Sequence, residues 1–184
     1  MSLEAWEFDN EDSRTAFLGG VISVLTDVLD DRLRESFEDI MPYHADIEAD
    51  IYYVANMSIP DSIKKRMTEN WFGSNLSQEK IMNLLTSNSI ILSEVKNCTS
   101  MQEAIVEYLL GVEIKSERKK EVLWQIVDEY ASQIKWYLGE EFKSVQVITG
   151  DYELISYTYT WTTFSAIAIV MGNYCIVMFY GSNE

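Results

Sequence analysis

The chain has 184 residues, 30 Asp and Glu against 14 Lys and Arg, and a formal net charge of −16. This charge repels nucleic-acid phosphates and anionic membrane surfaces, both of which are bound through Lys and Arg. With 47% hydrophobic and 12% aromatic residues, the chain is too rich in core-forming side chains to remain disordered.

The first seven residues are acidic and lack the basic and apolar runs of a signal peptide, so the expected location is cytoplasmic. Asp12 or Ser13 is the expected cap of a long helix running to about Ile40. Its apolar positions Leu18, Val21, Ile22, Leu25, Val28, Leu29, Leu33, Phe37 and Ile40 recur at helical spacing. Pro42 interrupts it, and a second helix is expected from about Tyr43 to Asn56. Asp61 should cap a third segment carrying Ile63, Met67 and Trp71, and Ser77 should open a fourth carrying Ile81, Leu84 and Leu85. Ile90 to Val95 fits either a helical turn or a short strand.

Ser100 and Glu103 have capping-box spacing, and their helix should stop near Gly111. Ser116 begins another long helix that should end at Gly139. From Lys143 the period becomes two. Val145–Thr149, Tyr152–Thr160, Phe164–Met171 and Tyr174–Tyr180 read as four successive antiparallel strands, with turns at Gly150-Asp151 and Gly172-Asn173. No charged side chain occurs from Leu154 to Asn183, but the Tyr/Thr alternation and Gly172-Asn173 favour strands over a membrane span. The expected class is α+β: an N-terminal bundle of about five to six helices packed on a C-terminal antiparallel four-stranded β-meander. One domain is expected, mainly helical over 1–140 and sheet over 143–181.

A turn at Gly172-Asn173 pairs Val170 with Cys175, Ala168 with Val177 and Ala166 with Phe179 on one face. Ile167 is set against Ile176 on the other, with Ile169 and Met178. Both faces are apolar. Leaving one in water would forgo on the order of 10 kcal/mol, so both should be covered, by the chain itself or by a partner.

Chemistry-bearing motifs are scarce. There is no phosphate-cradling glycine loop and no nucleophile elbow, and His44 is the one histidine. Cys98 and Cys175 are too few for a zinc knuckle. On a helix, His44 with Glu48, and Asp46 with Asp50, would lie one turn apart and hold a divalent metal. Glu35, Glu38 and Asp39 with Asp46 and Asp50 offer a magnesium-dependent site for nucleoside phosphates. The strand Tyr157-Thr158-Tyr159-Thr160-Trp161 puts three aromatics on one face, which suits an interface as well as a core.

Charge is uneven: residues 1–50 hold 14 acids and 3 bases, a net of −11. The favoured function is therefore a non-catalytic inhibitor or binding module that needs no cofactor. It would dock a basic protein through Asp27, Asp30, Asp31 and Glu38, with Tyr157, Tyr159 and Trp161 adding affinity. Immunity proteins of bacterial nuclease toxins share this logic, as an analogy in charge and size. The alternatives are the metal-dependent hydrolase, and a small-ligand sensor or a homodimer formed through the sheet.

Overall fold

The structure, a computed structural model, describes residues 8, 10–37, 45–55, 57–62, 90–111, 114–150 and 163–182. Helix α1 spans Glu11–Ser36 and is followed by strand β1, Ala45–Tyr53. Strand β2 is Ile90–Glu94. A three-residue α2, Met101–Glu103, widens into a π-helix over Ala104–Leu110. Helix α3 spans Glu117–Leu138, and strands β3 (Phe142–Gly150), β4 (Thr163–Met171) and β5 (Tyr174–Ser182) complete the order. Among the described residues, no helix is long and apolar enough to cross a membrane.

All five strands form one antiparallel sheet in the order β1-β5-β4-β3-β2. This α+β arrangement departs from the expected four-stranded C-terminal meander on a mainly helical 1–140 segment. Both outer strands come from the segment before residue 140, and β3 pairs directly with β4 rather than through a strand at Tyr152–Thr160. Four helices and a helical turn at 59–62 are described, against the five to six helices expected; expectations for 63–89 and 151–162 lie outside the described residues.

The helix expected over Tyr43–Asn56 is β1. Ala45, Ile47, Ala49 and Ile51 are buried, while Asp46, Glu48 and Asp50 alternate with them on the opposite face. That period of two is what a strand with unlike faces requires. Four apolar residues spaced by two outweigh the helix-compatible composition. Of Ile90–Val95, residues Ile90–Glu94 form a strand, their apolar members being Ile and Leu.

Helix boundaries follow local chemistry. Asn10, not Asp12 or Ser13, caps α1, its side chain accepting from Ser13 N at 2.9 Å. The helix ends at Ser36, four residues short of Ile40, with Phe37 buried as its C-cap. Ser58 rather than Asp61 caps the helical turn at 59–62; its hydroxyl accepts from Asp61 N at 3.2 Å. Ser100 Oγ accepts from Glu103 N at 3.1 Å. The Glu103 carboxylate reaches back to Thr99 N at 2.7 Å, one residue before the usual capping-box partner. Gly111 and Gly139 end their helices at φ of +60° and +66°, the left-handed region glycine enters without a Cβ clash.

The β4–β5 hairpin turns at Gly172-Asn173, with Val170↔Cys175, Ala168↔Val177 and Ala166↔Phe179 paired as expected. Ile176 pairs with Ile169, however, and Ile167 with Met178. The same two-residue turn that pairs Val170 with Cys175 requires Ile169 opposite Ile176. Ile167, Ile169, Met171, Tyr174, Ile176 and Met178 share a core with Leu18, Ile22, Leu29 and Leu33 of α1, Ile105 and Leu109 of the π-helix, and Leu123, Val127 and Ile134 of α3. Ala166, Ala168, Cys175, Val177 and Phe179 lie on the other face, outside that core, yet none is more than 1% exposed. Both faces of the hairpin are shielded within this one chain.

Candidate functional site

Helix α1 runs antiparallel to β1, the outer strand of the sheet, with Gly19 near Ile51, Asp30 at Ile47 and Arg34 at Ala45. Its buried stripe is Leu18, Ile22, Thr26, Leu29 and Leu33. Val28, expected in that stripe, is 47% exposed, and Val24 one turn before it is 61% exposed. Ala16 and Gly20 continue the same outward ridge toward the N-terminus, and Asp27, Asp31 and Glu35 form a parallel exposed row beside it. The ridge follows from spacing by four, which keeps residues on one helix face. Val28 borders Leu25 and Leu29, both on the inward side, so its spacing alone does not separate it from the buried stripe.

The three bases among residues 1–50 are Arg14, Arg32 and Arg34, and all three are turned toward the chain's own fold. Arg14 Nη2 donates to the Leu138 carbonyl at 3.2 Å, and its guanidinium lies 5.5 Å from the centre of the Tyr174 ring. Arg32 forms an ion pair with Glu129 of α3, which holds that carboxyl below its usual range. Arg34 donates to Asp30 and to the Ala45 carbonyl, each at 2.6 Å, and lies 3.4 Å from Asp46. With Arg14, Arg32 and Arg34 each paired within the chain, the outward face keeps its carboxylates.

Asp30 is a correction to the expected docking set. Its side chain is only 14% exposed, and Oδ1 accepts from Ile47 N at 3.1 Å. Burial raises its pKa despite the opposing pull of Arg34; the Arg34 guanidinium is itself raised by Asp30. Asp30 and Arg34 therefore occupy two backbone groups on the outer edge of β1, Ile47 N–H and the Ala45 carbonyl, and Asp27 and Asp31 remain as surface carboxylates. Glu38, Tyr157, Tyr159 and Trp161 lie outside the described residues.

The metal expectation depended on helical geometry that β1 does not have. Asp46 and Asp50 are four residues apart on a strand, roughly 13 Å, far beyond shared coordination of one ion. Asp46 pairs with Arg34, and Glu48 and Asp50 each have interaction partners. His44, Glu38 and Asp39 lie outside the described residues. Among the described residues, no group of three or more His, Cys, Asp or Glu side chains is placed to hold a metal ion.

Two clefts flank α3. One, about 430 Å³, lies between the π-helix and α3 and is lined by Val106, Glu107, Leu123 and Trp124 among others. At its rim Lys120 is tied to Glu117 at 3.2 Å. The other, about 310 Å³, is crossed by the Lys135–Glu141 ion pair at 2.8 Å. Among the described residues, neither lining includes a histidine or a cysteine. Cys175 is fully buried, and burial pushes its thiol up to about 12, so it is no nucleophile at neutral pH.

Comparison with family models, with curated proteins and with solved structures finds no match for the chain.

Proposed function

We propose that this chain is a non-catalytic binding protein that docks a basic protein partner through the outward face of α1. The observation that carries this is the division of charge on α1. Arg14, Arg32 and Arg34 are consumed by internal contacts, while Asp27, Asp31 and Glu35 flank an exposed Val24–Val28 pair. A small apolar centre with a charged rim is the usual anatomy of a transient interface. Its acidic field, reinforced by the net charge of −16, accelerates encounter with a cationic surface.

The test is retention on the immobilised chain. A protein of positive net charge should be retained at about 0.15 M salt, where the Debye length is still about 8 Å, and released as salt is raised toward about 1 M. Retention of no basic protein, or retention insensitive to salt, contradicts the proposal.

A further inference from the structure

The two edges of the sheet are treated differently by the fold. At β1, the Asp30 carboxylate accepts from Ile47 N and Arg34 donates to the Ala45 carbonyl, so side chains of α1 occupy the positions a sixth strand would take. At β2 no described strand or side chain does this. Val95 N donates to the Val145 carbonyl at 3.1 Å, and the register continues as Ser93↔Val147 and Ile91↔Thr149. Alternation along an antiparallel ladder therefore turns the N–H and C=O groups of Ile91 and Ser93 toward β3 and those of Ile90, Leu92 and Glu94 away from the sheet. Along β2, Ser93 and Glu94 are exposed, Ile91 is 56% exposed and Leu92 is half-buried. The strand carries one charge, Glu94, and no proline, so of the devices that blunt an edge it has its short length and a single carboxylate among the described residues.

We propose that β2 is a docking edge for an extended, basic segment of a partner protein, added as an antiparallel sixth strand. The position does not rest on the α1 face, which lies at the opposite edge of the sheet. Two considerations select this occupant over a second copy of the chain. A five-residue edge buries far less than the roughly 1,200 Å² of a stable interface, which suits a short peptide better than a dimer. Two copies would each bring a net charge of −16, whereas a cationic segment is attracted by the same field.

The register specifies the ligand. In an antiparallel addition centred on Leu92, the partner residue opposite Glu94 should be Lys or Arg. The residue three positions later, opposite Ile91, should be apolar and shield that exposed side chain. The intervening residues supply main-chain hydrogen bonds and need only favour extended backbone.

The experiment is a fluorescence anisotropy titration of a short labelled peptide with Arg and Ile at those two positions and Thr elsewhere. Wild-type chain should bind it saturably. Leu92→Pro removes an N–H that points off the sheet and leaves the β2–β3 ladder intact; it should weaken binding by about tenfold, the combined effect of a lost hydrogen bond and a ring on the edge. Glu94→Lys should weaken the Arg peptide by about threefold, of the order expected for a rim charge pair, and reverse the preference toward a Glu-bearing peptide. An unchanged melting temperature for each variant ties the loss to the edge. Absence of saturable binding by wild type, or equal binding by wild type and a folded Leu92→Pro chain, overturns the proposal. Self-association through β2, seen as a sedimentation shift abolished by Leu92→Pro without peptide, also overturns it.

Discussion

Asp30 and Arg34 stand one turn apart on α1, 2.6 Å between carboxylate and guanidinium, and together they close the outer edge of β1. The pair links the helix to the sheet's boundary strand through backbone groups that would otherwise face water unpaired. Removing the cation alone leaves a largely buried carboxylate without its charge partner. Arg34→Met should therefore cost about 2–3 kcal/mol in chemical denaturation, with Asp30→Asn/Arg34→Met recovering most of it. A double variant no more stable than Arg34→Met would contradict the coupling.

The same residue gives a pH dependence. The folded-state pKa of Asp30 is raised above its ordinary 3.8, chiefly by burial. The folded chain therefore holds this proton more tightly than the unfolded chain. Its stabilising contribution is complete below 3.8 and is lost as pH rises through the raised value. The stability of wild type relative to Asp30→Asn should fall over that interval and level off above it. Parallel urea titrations of both proteins between about pH 3.5 and 7 measure the difference. A relative stability that rises with pH would contradict the assignment.

Thr26 and Tyr130 share a hydrogen bond of 3.0 Å where α1 meets α3, both residues being at most 4% exposed. Tyr130→Phe strands the Thr26 hydroxyl in an apolar environment and should cost about 1–2 kcal/mol. Adding Thr26→Val removes the stranded group and should return part of that loss. Urea midpoints of the two single variants and the double variant decide the matter. Strict additivity would mean the hydroxyls do not act as a pair.

Cysteine labelling tests burial of the sheet's second face. Cys175 is fully buried with its thiol pushed up to about 12, and Cys98, half-buried, is raised by burial too while donating to the Ser100 carbonyl at 3.3 Å. Native protein at pH 8 with iodoacetamide should show slow modification at Cys98 and none at Cys175 until denaturant is added, followed by peptide mass spectrometry. Rapid native labelling of Cys175 would show that the hairpin's second face is open.

Where one signal acted alone, the sequence was legible. The two-residue turn at Gly172-Asn173 fixes the hairpin register locally, and Ser116 and Gly139 bracket α3 through cap chemistry. The misjudged segment is Ala45–Tyr53, where acidic residues invite a helix but the alternation of Ala45, Ile47, Ala49 and Ile51 describes one face of a strand. The exposed ridge of α1 was only half legible. Spacing by four identifies the stripe, but which of two adjacent stripes faces the sheet depends on β1, a strand distant from α3 and the hairpin in sequence. Asp30 was misjudged for the same reason, since its role comes from a backbone amide seventeen residues away.

Association kinetics with the basic protein retained by the chain test the central claim most directly. Asp27→Asn/Asp31→Asn should slow association by about threefold to tenfold and flatten its salt dependence while leaving dissociation nearly unchanged. Val24→Ser/Val28→Ser should instead speed dissociation with little effect on association. If both variants bind and release that protein as wild type does, the outward face of α1 is not where the partner docks.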